Sequence, residues 1–425
     1  MSVTESPVRH FSPLVKGESP SWLLRGGWVA LNAFVTVPAD LKIVSGQIFS
    51  LTRREESGNE HREPTPDDRC MEIPIHDCLV LPGLINSHDH LEFNLFPRLG
   101  RGPYPNFEKW ADDIFHPQKP PVREHLSVPK RTRLWWGALK NLLSGVTTVC
   151  HHNPYDANVF EDDFPVRVVK RYGWAHSMRF APNVAEAFRA TPPNGPFIIH
   201  LGEGTDRRSG NEIFELDRCG ALDSRTVLVH AVGINAQGHM LRRSRDAAVV
   251  WCPSSNRFTL GITLNPATMN ECDRISLGSD SALTADGDLL DEVRAAQREG
   301  VDPNRIYSMV TDSAADVLRL SNGEGGLREG GAADLFVVRW NRKTPAETLI
   351  ETRLETIEIV MVGGQPNLVS SRSANSVPRD VISDLEEIEI DGTRCRVRAP
   401  VERLLKETQK LLGPDVRLAG KRVKL

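Results

Sequence analysis

Apolar and polar positions follow two different patterns along the chain, and the first pattern gives way to the second near residue 79. Between residues 23 and 52, short apolar runs are separated by glycines, which predicts antiparallel strands joined by tight turns. From residue 79 onward, apolar runs of strand length alternate with segments of helical periodicity. Strand and helix in alternation predict crossover units, a parallel sheet and right-handed connections.

The predicted elements of the alternating region are defined by their apolar residues. Strands are predicted at 79–85, 146–150, 197–201, 226–229, 247–251 and 274–277. Helices are predicted at 132–143, 212–216, 236–243, 289–298 and 305–320. Asp288 is available as the N-cap of one of these helices.

Both ends of the chain carry strand signals of the same type. Apolar runs at 333–339 and 356–362 resemble those of residues 23–52, so the two ends are expected to share one small sheet. The polar segment 53–74 contains prolines and is predicted to be an exposed hairpin or loop.

The C-terminal residues predict a separate extension. A hairpin is expected at 387–397, followed by a helix at 401–412. The short basic end, 421–425, is interpreted as a solvated tail rather than a binding arm.

Composition limits the classes of function. The 425 residues carry 52 basic and 56 acidic side chains and no long basic run, so no nucleic-acid partner is expected. The chain opens without a charged-then-apolar leader, and it has no apolar segment long enough to span a bilayer. Seven cysteines, without Cys-x-x-Cys spacing, are typical of reduced and mostly buried thiols. We therefore expect a soluble cytoplasmic protein with no membrane partner.

Two histidines stand one residue apart where the first strand of the alternating region ends. Residues i and i+2 of a strand lie on one face, so His88 and His90 are able to converge on a single metal ion. The alternative, for this pair alone, is two solvent-facing imidazoles at the start of a loop.

Three further polar side chains each end a strongly apolar strand. They are His200, His230 and Asp280. In a parallel β/α barrel the carboxyl ends of the strands form the active-site face, which favours function over a satisfied core histidine or a capping aspartate. Glu203 follows His200 between two glycines, so the chain is able to turn its carboxylate back over an ion. One cation would compensate the burial of all these groups together.

As a set, these residues resemble the amidohydrolase superfamily. Within it they resemble the aminohydrolase/chlorohydrolase branch, which includes cytosine, guanine and S-adenosylhomocysteine deaminases and triazine hydrolases. The resemblance covers roughly residues 23 to 365. Its signatures are Pro82-Gly83-Leu84-Ile85-Asn86-Ser87-His88-Asp89-His90, Gly145-Val146-Thr147-Thr148-Val149, His200-Leu201-Gly202-Glu203, Val229-His230, Cys252-Pro253-Ser254-Ser255-Asn256, Leu277-Gly278-Ser279-Asp280 and Gly330-Gly331-Ala332-Ala333-Asp334-Leu335.

The resemblance implies an α/β fold with a distorted TIM-type β/α barrel over residues 79–334. The flanks, 1–78 and 335–370, would form a small composite β-sandwich, and residues 371–425 a hairpin and helix extension.

The stretch 151–196 is short for two complete crossover units of about 30 residues each. Segments 164–170 and 172–180 within it fit either a helix and a strand or two strands, which leaves open whether one βα unit is reduced.

The resemblance also implies the ligands of one divalent ion. They are His88, His90, His200 and Asp280, with His230 beside the ion rather than bound to it. Zinc is the default, and iron or manganese also tolerate such ligands.

The chemistry implied by the resemblance assigns a catalytic role to three residues. Metal-activated water attacks a carbon, and Asp280 receives its proton. Glu203 shuttles a proton to the neighbouring ring nitrogen, and His230 stabilises charge on the new oxygen.

Five residues are weaker candidates for substrate contact. They are His151, His152, Trp110, Ser254 and Asn256. Adjacent strand residues point to opposite faces, so only one of the two histidines is expected to reach the site.

These observations predict a metal-dependent hydrolase that acts on a non-peptide carbon–nitrogen bond of a small molecule and deaminates a nitrogen heterocycle. The same site would also suit an amide, a carbamate or a halo-heterocycle. A catalytically silent scaffold is disfavoured because all expected ligand positions are filled. A structural zinc protein is disfavoured because such sites commonly use cysteines. The substrate, the metal and association into a homo-oligomer stay open.

Overall fold

A computed structural model describes residues 20–54, 70–161, 163–265, 268–269 and 272–425. Most of the predicted loop 53–74 lies outside these ranges, as do residues 1–19. The prediction of an exposed hairpin or loop is wrong for residues 70–74, which form a strand that pairs in parallel with residues 21–25. Burial of Ile73 between the exposed residues Glu72 and Pro74 gives this segment the alternation of a strand.

The N-terminal strands confirm the antiparallel arrangement predicted for residues 23–52, because the third strand pairs antiparallel with the first, second and fourth. The strands are β1 (Ser21–Arg25), β2 (Trp28–Ala30), β3 (Thr36–Val44), β4 (Gln47–Arg53), β5 (Cys70–Pro74) and β6 (Cys78–Pro82).

The apolar run 79–85 was expected to be one strand, and it is two. Gly83 separates them, and a side chain at this position would collide with Thr147. The first part is the end of β6, and the second begins the parallel sheets. The strand that carries His88 therefore starts directly beyond the flanking domain.

Eight strands form two parallel sheets in the described part of the chain, one of three strands and one of five. This confirms an α/β fold with parallel sheets. The three-stranded sheet holds β7 (Leu84–Asp89), β8 (Val146–His151) and β9 (Arg167–Val168). The five-stranded sheet holds β10 (Gly173–Ser177), β11 (Phe197–Leu201), β12 (Thr226–His230), β13 (Ala248–Trp251) and β14 (Ile275–Leu277).

Within the short stretch 151–196, segments 164–170 and 172–180 contain one strand each rather than a helix and a strand. Strand β9 ends at Val168 and β10 begins at Gly173, and residues 169–172 between them form no helix. One crossover of the parallel region is therefore reduced to a direct connection.

The described ranges contain helices of four to thirteen residues. They are α1 (Phe107–Ile114), α2 (Val122–Ser127), α3 (Lys130–Leu142), α4 (Ala157–Phe160), α5 (Val184–Arg189), α6 (Arg207–Arg218), α7 (Ala236–Ser244), α8 (Pro253–Leu260), α9 (Leu289–Arg298), α10 (Pro303–Met309), α11 (Asp312–Val317), α12 (Pro345–Glu351), α13 (Arg379–Ser383) and α14 (Val401–Leu412).

Two of these helices replace the single helix predicted at 305–320. The break falls at Thr311, whose backbone angles (φ −128°, ψ −110°) are not helical. The cap predicted for α9 is confirmed, since the Asp288 carboxylate accepts hydrogen bonds from the amides of Leu290 and Asp291.

The C-terminal strands join the N-terminal ones in one large sheet. They are β15 (Leu335–Arg339), β16 (Ile357–Val362), β17 (Gln365–Ser370), β18 (Glu386–Ile390), β19 (Thr393–Val397), β20 (Arg417–Leu418) and β21 (Lys421–Lys424). Within this sheet β15 pairs antiparallel with β6, and β6 pairs with β2. The expectation that the two ends of the chain share a sheet is confirmed.

Strands β6 and β15 separate two apolar cores. In β15, Phe336 and Val338 belong to the core around the parallel strands, whereas Leu335 and Val337 belong to the core of the terminal strands. Successive residues of a strand face opposite sides, so one strand pair contributes to both cores. The terminal strands are thereby packed directly against the parallel region.

The C-terminal extension also packs on the parallel region. Helix α14 lies against α3, where the indole of Trp136 donates to Thr408 at 2.8 Å. The prediction of a solvated tail is wrong for residues 421–424. They form β21, and the Lys421 ammonium contacts the carboxylates of Asp288 and Asp291.

Among the residues that the structure describes, every helix is too short or too polar to cross a bilayer.

Candidate active site

The two predicted histidines lie at the buried carboxyl end of the first parallel strand. His88 is the penultimate position before β7 ends, and His90 begins the short turn that follows. The carbonyl of His88 accepts a hydrogen bond from the amide of Asp280 at 3.0 Å. This bond joins the ends of β7 and β14 and brings the strand-end residues predicted from the sequence together.

Four imidazoles converge at these strand ends, and we call them the histidine cluster: His88, His90, His152 and His200. Each offers a ring nitrogen within 4.8 Å of those of the others. Nε2 of His200 lies 3.3 Å from Nε2 of His88 and 3.3 Å from Nε2 of His90. Burial lowers the pKa of all four imidazoles below the ordinary histidine value, which favours their neutral, metal-binding form.

Asp280 lies at the edge of this cluster. Its Oδ1 is 3.7 Å from Nε2 of His88 and 3.9 Å from Nε2 of His90. The hydroxyls of Ser255 and Thr284 donate to its Oδ2 at 2.8 and 3.1 Å. These two bonds hold Oδ2 and orient Oδ1 toward the imidazoles.

Glu203 reaches the site because the chain turns sharply after His200. Gly202 has a φ of +64°, which a residue with a side chain rarely adopts, and its amide donates to the buried carboxylate of Glu212 at 2.7 Å. The turn places Oε2 of Glu203 3.6 Å from Nε2 of His230. Burial raises the pKa of Glu203 to about 7, so its carboxyl group is able to hold or release a proton near neutral pH.

His230 is held in one orientation beside Glu203. It has a φ of +73°, an uncommon backbone conformation for a residue with a side chain. Its Nδ1 donates to the side-chain oxygen of Asn256 at 2.8 Å. In the neutral ring, Nε2 is then an acceptor, and it is the atom that faces Glu203.

The adjacent pair His151 and His152 divides between two faces of its strand. His152 joins the histidine cluster. His151 lies on the other side, where Nε2 is 3.6 Å from the Glu92 carboxylate and the ring packs on Phe160. This division follows from the alternation of side chains along β8.

The other predicted substrate contacts have different surroundings. Trp110 donates its indole N–H to the carbonyl of Leu99 and packs in a small apolar cluster with Phe96. Ser254 contacts the buried carboxylate of Glu292 through its amide and its hydroxyl. Asn256 orients His230. The geometry thus brings Asn256 and His152 to the site and gives Trp110 and Ser254 partners elsewhere.

A buried ion pair beneath the site was not predicted from the sequence. The Lys140 ammonium lies 3.0 Å from the Asp89 carboxylate, and it also donates to the Ser279 hydroxyl and the Asp280 carbonyl. Asp89 stands between His88 and His90, and Ser279 precedes Asp280. Lys140 therefore ties the backbone on both sides of the site. Its signal was a lysine four residues after Trp136 on the buried face of a predicted helix.

His176 is another residue of the site that was not predicted from the sequence. Its carbonyl accepts a hydrogen bond from Nδ1 of His200 at 2.7 Å, and its ring centroid is 4.9 Å from that of His200. His176 has no motif context, but it stands near the end of the fourth parallel strand, and that position was its available signal.

The donor set fits a divalent cation. Because His200 donates Nδ1–H to a carbonyl, its Nε2 carries a lone pair in the neutral ring, and this lone pair faces Nε2 of both His88 and His90. A cation among these nitrogens would replace their mutual repulsion with coordination. Asp280 adds the carboxylate that such a site commonly contains.

Comparison with known proteins gives two findings on sequence. The model of the Amidohydrolase family matches residues 197–367. The chain is 24% identical over 375 residues to a 5-methylthioadenosine/S-adenosylhomocysteine deaminase of Syntrophobacter fumaroxidans, which covers 72% of this chain and 81% of the relative. A deaminase of the same name from Pyrococcus furiosus is 24% identical over 411 residues, covering 79% and 91%.

Solved structures share the fold. An adenosine deaminase from Xanthomonas campestris with bound zinc has a TM-score of 0.65 at 16% identity, covering 92% of this chain and 98% of that chain. The zinc complex of atrazine chlorohydrolase from Arthrobacter aurescens has a TM-score of 0.67 at 17% identity, covering 92% and 99%. The family match, the curated relatives and the shared fold together confirm the resemblance to the amidohydrolase superfamily, and within it to the aminohydrolase/chlorohydrolase branch.

Proposed function

We propose that this protein is a metal-dependent hydrolase that deaminates a nitrogen heterocycle. The observation that carries the proposal is the position of Glu203 beside His230, at the rim of a cluster of neutral imidazoles. Expulsion of an amine needs proton delivery, and a buried carboxyl group with a pKa near 7 suits that task. The names of the curated relatives, which are deaminases, support the same chemistry.

We propose that one divalent ion, with zinc as the default, is held by His88, His90, His200 and Asp280. Such an ion supplies a Lewis acid that makes water a stronger nucleophile near neutral pH. The titles of zinc-bound structural neighbours support zinc, and the nitrogen-rich donor set suits it.

The protein's own residues then direct protons around the reacting carbon. Asp280 accepts a proton from the attacking water, and Glu203 delivers one to the ring nitrogen next to that carbon. His230, whose Nδ1 is fixed by Asn256, stabilises the charge that develops on the new oxygen when its Nε2 carries a proton and donates to that oxygen. The amino group takes the proton held by Asp280 and leaves as ammonia, while the new hydroxyl gives its proton to Glu203, which restores both carboxyl groups. Because these groups stand at the ends of different strands, they are oriented before the substrate arrives.

For the substrate, we propose a small molecule with an amino-substituted purine or a similar heterocycle. The curated relatives are named for 5-methylthioadenosine and S-adenosylhomocysteine, which places adenine-containing compounds first in a screen. Amides, carbamates and halo-heterocycles are the alternatives that the same site would serve.

A screen for ammonia release tests the proposed function. Zinc-loaded protein is mixed with a panel of aminopurines, adenine nucleosides, pyrimidines, pterins and aminotriazines. We expect ammonia from at least one heterocycle, and none from the same protein after its metal is removed. Protein that binds zinc but releases no ammonia from any of these compounds would refute deamination and direct attention to amides and carbamates.

At the level of the fold, we propose that β7–β14 are the strands of one distorted TIM-type barrel. Hydrogen bonds link the two sheets at both gaps: the Asp280 amide to the His88 carbonyl, and the Tyr172 hydroxyl to the His151 carbonyl at 2.8 Å. Both links support closure, because they join β14 to β7 and the start of β10 to β8.

We further propose that the terminal strands form a β-sandwich composed of the flanks 1–78 and 335–370. Their separate apolar core supports this view. Strand β6 extends to Pro82 within the large sheet, which supports a first flank that ends at 82 rather than 78. Strands β18–β21 of the C-terminal extension, 371–425, are continuous with that sheet.

A cytoplasmic location is also a proposal. All seven cysteines lie in described ranges and none forms a disulfide, which is compatible with a reducing compartment.

A further inference from the structure

His152 occupies a place in the site that the proposed ligand set does not explain. It follows the last residue of β8, the strand next to the one that carries His88, and its side chain is fully buried. Its ring stacks on that of His200, with centroids 4.2 Å apart. One of its ring nitrogens lies within 4.8 Å of the facing nitrogens of His88, His90 and His200.

The backbone fixes which nitrogen of His152 is available. Nε2 lies 3.1 Å from the carbonyl oxygen of Ala175, and a carbonyl only accepts, so Nε2 carries the hydrogen. In the neutral ring, Nδ1 then holds a lone pair. This Nδ1 is buried, and no hydrogen-bond donor reaches it from the described ranges of the chain.

The same arrangement orients His200. His200 donates Nδ1–H to the carbonyl of His176, and His152 donates Nε2–H to the carbonyl of Ala175. Two consecutive carbonyls of β10 therefore hold two stacked imidazoles, each with its other nitrogen unprotonated. A ring nitrogen that donates to a backbone carbonyl while the other carries a lone pair is the usual arrangement of a metal-binding histidine.

A purely structural role explains His152 less well. A buried acceptor without a partner costs about 1–3 kcal/mol. A packing residue would avoid that cost with an apolar side chain, whereas a cation at the cluster would satisfy Nδ1 together with the three neighbouring nitrogens.

We propose that His152 is a fifth protein donor to the metal ion, through Nδ1, in addition to His88, His90, His200 and Asp280. The inference rests on the metal site of the proposed function and replaces the substrate contact predicted for this residue. Five protein donors leave room for water only on an ion that accepts six ligands or releases one of the five during turnover. The site would then bind its ion more tightly than a site with four protein donors.

The crystal structure of the zinc-loaded wild-type protein tests the proposal without a mutation. We expect Nδ1 of His152 at about 2.1 Å from zinc. A zinc ion bound by the other four residues, with Nδ1 of His152 beyond coordination distance or bridged to it by water, would overturn the inference and leave the proposed function intact. Absence of a metal from the site at saturating zinc would instead refute both.

Substitution gives a second measurement in solution. His152→Gln is expected to weaken zinc affinity by about 10-fold or more. In the cobalt-substituted protein it should intensify the d–d absorption, because cobalt(II) absorbs more strongly as its coordination number falls. His151→Gln is the matched control, because it changes the adjacent buried histidine on the opposite face. Equal zinc affinities and cobalt spectra for wild type and His152→Gln would count against coordination.

Discussion

Glu203 is buried, and its neighbour His230 is able to exchange a proton with it. Its position depends on the turn at Gly202, which Glu212 fixes from helix α6. The sequence predicted this turn from the glycines beside Glu203, and it predicted the strand-end residues from their place after apolar runs. It did not predict Lys140 or Ser255, because a polar side chain within a helix gives no sign of its partner until the fold brings distant segments together.

Glu203→Gln should lower kcat by about 10²–10⁴-fold, because an amide cannot shuttle a proton. Zinc content should stay at the wild-type level, since Glu203 is outside the proposed ligands. Steady-state kinetics on the best substrate of the screen, with metal analysis of each sample, makes the measurement. Glu215→Gln, which changes an exposed glutamate on helix α6, serves as the control. Unchanged turnover in Glu203→Gln would remove the proton-shuttle role.

Glu292 should make stability depend on pH. Burial raises its pKa from the ordinary value of 4.5 to about 8, so between these values the folded protein holds a proton that the unfolded chain has released. The free energy of unfolding therefore falls as pH rises through this window, by up to about 1.4 kcal/mol per pH unit from this group. In Glu292→Gln, the free energy of unfolding, measured by denaturant titration at fixed zinc, should fall less steeply with pH. An equally steep fall in the variant would show that Glu292 is not the cause.

At the scale of elements, the strands were more predictable than their boundaries. The apolar runs before His200 and His230 became strands as expected, because buried parallel strands are apolar on both faces. The run 79–85 was divided by a tertiary contact between Gly83 and Thr147, which no local pattern shows. The sequence does not decide the direct connection at 169–172, because segments 164–170 and 172–180 fit either two strands or a helix and a strand.

Helix α3 contributes Lys140 to the ion pair that joins the ends of β7 and β14. Loss of this ion pair should lower the free energy of unfolding. Lys140→Met leaves the Asp89 carboxylate buried without its cation, although Asn94 and Asn141 still donate to it. We expect a loss of about 3–5 kcal/mol in the free energy of unfolding. Lys109→Met, which changes an exposed lysine, should alter it by less than about 1 kcal/mol. Comparable losses in the two variants, measured by urea denaturation, would contradict this role.

Across the whole molecule, the active-site residues come from distant parts of the chain and meet at one edge of the parallel sheets. The α/β class and the shared terminal sheet were predictable, because they follow from apolar periodicity. The packing of the C-terminal extension on α3 was not, because the contact between Trp136 and Thr408 joins segments far apart in sequence.

Metal binding should stabilise the whole molecule. Without zinc, the lone pairs of the clustered histidines face one another in a buried site. A ligand that binds only the folded protein raises the free energy of unfolding by about 2.7 kcal/mol when it is present at 100 times its Kd. Thermal unfolding should therefore shift upward as zinc is added to metal-free protein. Glu203→Gln should show a similar shift, because the proposed ligands are retained. Thermal unfolding curves that do not change when zinc is added would contradict a metal site that exists only in the folded protein.

The most direct test of the account is ammonia release during titration of metal-free protein with zinc. With an amino-substituted heterocycle from the screen as substrate, the rate should rise from zero and level off at one equivalent of zinc per chain. The same rate in metal-free protein, or no ammonia from any heterocycle after a full equivalent has bound, would contradict metal-dependent deamination.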